Sequence, residues 1–131
     1  MSAHHIDVRI YYEDTDFSGN VYHAAYLKFF ERGRTEFLRE LGVHHAALAT
    51  QGIAFAVRSM EIAFDGAARI DDLLSVTTEV DKVSGARLML NQTIVRGETV
   101  LTRASVVVAA IKIGGGPARL PDALRSALEQ S

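Results

Sequence analysis

Two carboxylates, a hydroxyl and an imidazole fall close together in this chain: Asp14, Asp16, Ser18 and His23. A carboxylate can act as a nucleophile or a general base, and an imidazole can move a proton or orient a water. Asp16 precedes the start of a helix, and there it has two readings. One is compensation of the positive end of the helix dipole, or capping of free amides. The other is chemistry: a carboxylate beside free backbone N–H groups, which can polarise a carbonyl. One of the two acids suffices for that. His23 falls in the first helical turn, seven residues on from Asp16 across a turn containing Gly19. That spacing lets both side chains face one cavity, although a lone histidine also serves structural or solvated roles. Ser18 makes a nominal nucleophile set with His23 and Asp16, but no Gly-x-Ser-x-Gly elbow surrounds it. His4–His5 and His44–His45 are adjacent pairs whose side chains point apart in a strand or helix. No metal site and no cofactor are expected.

The helix that must position these groups is marked by an apolar stripe. Tyr26, Phe30, Gly33, Phe37 and Leu41 recur with a helical period, and Lys28, Glu31, Arg32, Glu36, Arg39 and Glu40 lie mostly off it. Arg32 and Glu36 are four apart and can pair. Asn20 suits the N-cap and Gly42 the C′ position. Gly33 costs about 1 kcal/mol relative to Ala in a helix interior. Its place on the stripe predicts another backbone passing close, and a helix wrapped by a sheet.

The remaining pattern is mostly strands. Residues 6–12 alternate, with Ile6, Val8, Ile10 and Tyr12 on one face. Residues 43–50 read as a short second helix stopped by Gly52. Residues 53–64 form a strand apolar on both sides in places, so both faces are expected to be covered. Strands follow at 73–83, 87–96 and 99–113, with turns at 84–86 and Arg96-Gly97-Glu98. Gly114, Gly115 and Gly116 end the last strand. Pro121 suits the first turn of a C-terminal helix carrying Leu124 and Leu128. The order β-α-(α)-β-β-β-β-α implies an antiparallel sheet around one long helix, an α+β fold.

Length and composition exclude several classes. The 131 residues carry a net charge of −2 and are 48 % hydrophobic, which fits one domain spanning residues 1–131. No basic excess points to nucleic acid. Cysteine is absent, so disulfides, zinc–cysteine sites and a thiol nucleophile are excluded together. The N-terminus has no signal-like apolar region, and no apolar run approaches the ~18 residues of a membrane span. A cytoplasmic protein is expected.

The segment Tyr11-Tyr12-Glu13-Asp14-Thr15-Asp16, then Gly19, Val21-Tyr22-His23, Tyr26-Leu27 and Glu31-Arg32, closely resembles the hotdog-fold acyl-CoA thioesterases of the 4-hydroxybenzoyl-CoA thioesterase family. It is most similar to the bacterial branch associated with the Tol-Pal cell-envelope system. The resemblance continues more loosely through Val57-Arg58-Ser59-Met60-Glu61-Ile62, Ala68-Arg69-Ile70-Asp71-Asp72 and Gly85-Ala86-Arg87. One departure is the lack of a proline often found before the alanine that Ala68 matches.

The resemblance implies a hotdog fold that hydrolyses acyl-CoA thioesters. It assigns catalysis to Asp16 and His23, with amides near Tyr22 and His23 holding the thioester carbonyl and Asp14 shaping the loop. Tyr12, Tyr22 and Tyr26 are candidates for the acyl pocket, though each could equally be core. Arg58 and Ser59 are further substrate-binding candidates, and Lys82 and Arg87 are candidates for the CoA phosphates. The resemblance also implies a dimer with helices side by side under one continuous sheet, a site at the subunit interface, and pairing of dimers into tetramers. The rival reading is a non-catalytic binder of acyl-CoA or acyl carrier protein serving a cell-envelope complex.

Overall fold

The computed structural model describes residues 3–130. Five strands form one antiparallel sheet: β1 (His4–Arg9), β2 (Ile53–Phe64), β3 (Leu73–Val83), β4 (Arg87–Arg96) and β5 (Thr99–Lys112), in the spatial order β1-β3-β4-β5-β2. Three α-helices accompany it: α1 (His23–Glu40), α2 (His45–Thr50) and α3 (Asp122–Glu129). The long α1 lies against β1 and β3, and α3 packs on β3. This is the α+β arrangement expected from the pattern of periods, and the hotdog order that the resemblance implies.

Alternation decides which side of each strand meets α1. Leu74, Val76, Thr78 and Val80 of β3 and Leu88, Leu90, Gln92 and Ile94 of β4 point inward and are buried. Phe29, Phe30, Phe37 and Leu38 of α1 fill the space above them. Each such large side chain contributes roughly 1.5–3 kcal/mol by leaving water. The inward Gln92 is polar but satisfied. Its Nε2 donates to the Phe30 carbonyl and to Thr78 Oγ1, both at 2.9 Å, and its Oε1 accepts from Arg34 Nη1 at 3.1 Å.

This network explains Gly33, and corrects the expectation of a passing backbone. A Cβ there would meet Val76 Cγ1 at 2.9 Å, Thr78 Oγ1 at 3.1 Å and Gln92 Nε2 at 3.2 Å. Sheet side chains, not main chain, demand the glycine. The end of α1 matches expectation. Gly42 has φ +88°, the Gly42 N–H donates to the Arg39 carbonyl, and the Val43 N–H donates to the Leu38 carbonyl. That is a Schellman closure with glycine at C′.

Four local expectations are corrected. The first strand stops at Arg9; Tyr12–Asp14 is a short 3-10 turn that leaves Tyr12 82 % exposed instead of on the buried face. Tyr22, not Asn20, is the N-cap of α1. Glu36 pairs with Arg39 rather than Arg32, whose guanidinium sits over the Phe29 ring. Finally, β2 is an edge strand with Val57 and Phe64 about half exposed, not a strand covered on both faces. Among the described residues, no helix is long and apolar enough to cross a membrane.

Candidate active site at the start of the long helix

The chain before α1 folds back on itself at Gly19, whose φ of +82° suits a residue without a Cβ. Thr15 bridges Val21, the Asp16 N–H donates to the Asn20 carbonyl, and the Gly19 N–H donates to the Asp16 carbonyl. Asp14 shapes this loop, as expected. Its Oδ2 accepts the Tyr11 N–H at 2.9 Å, and its carbonyl accepts the Tyr22 N–H at 2.8 Å.

Asp16 holds a different kind of position. Its Oδ1 accepts the Ser18 N–H at 2.8 Å and the Ser18 hydroxyl at 2.5 Å. These bonds, the hydroxyl's first, hold its carboxyl below the usual carboxylate range, with a smaller contribution from the charge of His23. Among the described residues no side chain caps α1, so Asp16 is not a cap. Ser18 spends its proton on a carboxylate and is not arranged as a nucleophile.

The Tyr22 N–H is already taken by Asp14, and the Ala25 N–H by the Tyr22 carbonyl. The first-turn donors open to a ligand are therefore those of His23 and Ala24, one residue later than expected. His23 opens α1 and is exposed, its ring 4.6 Å from that of Tyr22 and 6.4 Å from that of Phe64. A cleft of about 620 Å³ lies beside the loop, lined by Tyr12, Thr15, Asp16, Phe17, Gly19 and Ile70. Asp16 is the charged group in an otherwise largely apolar wall. Among the described residues no cluster of side chains could hold a metal ion.

The other expected site residues fall differently. Tyr12 lines the cleft and Tyr22 stands exposed beside His23. Tyr26 belongs to the core: it is 3 % exposed, and its hydroxyl accepts the Ala68 N–H at 3.0 Å. It faces inward because it shares the α1 stripe with Phe30. Arg58 and Ser59 are exposed at a bulge of the edge strand β2, roughly 17 Å along it from Phe64. Lys82 and Arg87 flank the β3–β4 turn. The loop that borders Asp16 enters β3 at its other end, so roughly 30 Å of strand separates them within one protomer. Phe17, Phe64 and Ile70 were not singled out from the sequence. Phe17 adjoins Asp16 in the loop itself, while no motif spacing marks Phe64 and Ile70, which the fold brings there from the end of β2 and the loop after it.

Comparison with known proteins gives a consistent result. The family model described as the thioesterase-like superfamily matches residues 10–128. The acyl-CoA thioesterase YbgC of Haemophilus influenzae is 48 % identical over 108 residues, covering 82 % of this chain and 79 % of that protein. The acyl-CoA thioester hydrolase YbgC of Escherichia coli O6:H1 is 45 % identical over 105 residues, covering 79 % and 78 %. Among solved structures, a probable thioesterase from Bartonella henselae superposes with a TM-score of 0.88 at 47 % identity, covering 92 % of this chain and all of that one (100 %).

Proposed function

The chain belongs to the thioesterase-like superfamily, and from that premise we propose that it hydrolyses acyl-CoA thioesters to a free carboxylic acid and CoA. What supports the reading is an uncapped helix start whose His23 lies near enough to Asp16 to lower its pKa, and an ionised Asp16 lining a largely apolar cleft. The amides of His23 and Ala24 hold the carbonyl oxygen, where the α1 dipole favours the developing negative charge. Asp16 acts through its Oδ2, since Oδ1 is occupied by Ser18.

Two routes share this geometry. In one, Asp16 attacks, the C–S bond breaks, CoA leaves as thiolate, and water hydrolyses the mixed anhydride. In the other, Asp16 takes a proton from water as the water attacks, and the same C–S bond breaks. His23 orients the water or assists the proton transfer. In a single turnover in ¹⁸O-labelled water, label in the Asp16 carboxylate establishes the first route, with water attacking the Asp16 carbonyl of the anhydride; attack at the acyl carbonyl sends the label to the product acid, as the second route does.

The working form is a two-fold dimer joined at the β2 edge, with pairing of dimers into a tetramer. An antiparallel copy turns its Lys82 and Arg87 end toward this protomer's Asp16, and brings Arg58 and Ser59 to the shared boundary. We place the protein in the cytoplasm, serving a cell-envelope system of the Tol-Pal kind, with acyl carrier protein thioesters as a second substrate class. The test is thiol release from a panel of short-chain, long-chain and aromatic acyl-CoAs. Turnover of at least one is expected. Tight acyl-CoA binding with no thiol release would contradict hydrolysis and favour a binding module.

A further inference from the structure

We propose that Tyr26 is a positioning residue for the reaction, acting through Ala68 on the backbone that holds Asp16. The inference rests on the reading of Asp16 given above. Ala68 is fully buried and is held from two sides. Its N–H donates to the Tyr26 hydroxyl at 3.0 Å, and its carbonyl accepts the Val21 N–H at 2.8 Å. Arg69 bridges Asn20, and Thr15 bridges Val21. Three short segments therefore lie side by side: Ala68–Arg69, Asn20–Val21 and Thr15–Asp16. They form a miniature ladder with Asp16 on its far rail.

Segments this short do not hold a register alone. The near rail must be fixed from outside, and two ties do so. The Tyr26 ring is wedged between Phe29 and Phe64, at centroid distances of 6.1 and 5.7 Å, so its hydroxyl is a fixed acceptor. Arg96 Nη1 donates to the Ala67 carbonyl at 3.1 Å and to Asp72 Oδ2 at 2.9 Å. Asp72 Oδ2 in turn accepts the Arg69 N–H at 2.9 Å. Ile70, which lines the cleft, hangs from the same rail. Because Tyr26 sits on α1 itself, its hydroxyl locks the ladder to the helix whose first amides are assigned above to the carbonyl oxygen.

A phenylalanine at position 26 would bury the same ring. What the oxygen adds is the bond to Ala68, and without it a buried N–H loses its acceptor and the rail shifts. A small displacement of a reacting group costs rate steeply. Tyr26→Phe is therefore expected to lower kcat about tenfold or more, with KM within about threefold, at a temperature where circular dichroism shows the variant fully folded. Leu128→Val, in α3 and away from the ladder, is the control: it lowers Tm and leaves kcat unchanged. Tyr26→Phe behaving like Leu128→Val, with lower Tm and kcat within about twofold of wild type, would overturn the proposal.

Should Tyr26→Phe fail to fold, Arg96→Leu carries the test by removing the second tie from an exposed position. A several-fold fall in kcat supports the ladder, and an unchanged kcat overturns it. An active Asp16→Asn variant would instead overturn the Asp16 reading, a separate and distinguishable failure.

Discussion

The two oxygens of Asp16 are not equivalent, and their difference has a consequence for pH. Oδ1 accepts two bonds from Ser18, which stabilise the ionised form and lower the carboxyl's pKa. The ionised form is the active one on either route. Activity is therefore present at neutral pH and is lost only as pH falls through the lowered value. The acid limb of kcat/KM is expected below the ordinary aspartate range. Ser18→Ala removes the hydroxyl bond, the larger cause, and should move that limb upward; a limb that does not move would mean another group limits the rate. At this scale Asp14, Asp16 and His23 were legible because they are close in sequence. Which acid shapes the loop followed from a motif, but which amides are free did not. Tyr22 lost its N–H to Asp14, a bond that spacing alone does not reveal.

Along the elements, α1 shows how local cost is exchanged for packing. Gly33→Ala would gain about 1 kcal/mol of helix propensity. The added methyl would meet Val76 Cγ1 at 2.9 Å, and Thr78 and Gln92 close the other sides. Val76 is β-branched and stiff at χ1, so it yields poorly. Overpacking of this kind costs about 1–3 kcal/mol, so a net destabilisation of about 1 kcal/mol is expected by urea unfolding. A stabilised variant would show that Val76 can move away. The strands at 53–64, 73–83 and 87–96 were legible to the residue, because alternation stops where a turn begins. The 3-10 turn at Tyr12–Asp14 was not. Tyr12 continues the apolar alternation of Ile6, Val8 and Ile10, and the Asp14 carboxylate reaching back to the Tyr11 N–H, with the Asp14 and Thr15 N–H groups closing on the Tyr11 and Tyr12 carbonyls, breaks it. Position in the sheet was equally hidden for β2, since apolar residues on both sides of a strand read as burial by this chain.

The exposed β2 edge sets the expectation for the whole molecule. Val57 and Phe64 stay about half exposed on a twelve-residue strand with one unpaired side. A long apolar edge is a liability unless another chain covers it. Sedimentation equilibrium at micromolar concentration should show a dimer or tetramer, closed by two-fold symmetry. Val57→Lys should shift the population toward monomer and reduce turnover together. A wild-type monomer with full activity would contradict the shared site. The fold class was legible because the order of periods, one helix followed by four strands, leaves few ways to bury that helix. The expectation of a partner copy comes from the family resemblance and from the unpaired edge.

The measurement that bears most directly on the central claim is kcat for thiol release by Asp16→Asn. Asparagine can still accept both Ser18 bonds through its side-chain oxygen, and Asp16 does not cap α1, so the variant should fold and assemble as the wild type does. It removes the charge that attacks the thioester or activates water. We expect acyl-CoA binding to persist while kcat falls at least about a hundredfold, roughly 3 kcal/mol of barrier. Asp14→Asn should cost clearly less. Near-wild-type turnover by a folded Asp16→Asn would contradict the account.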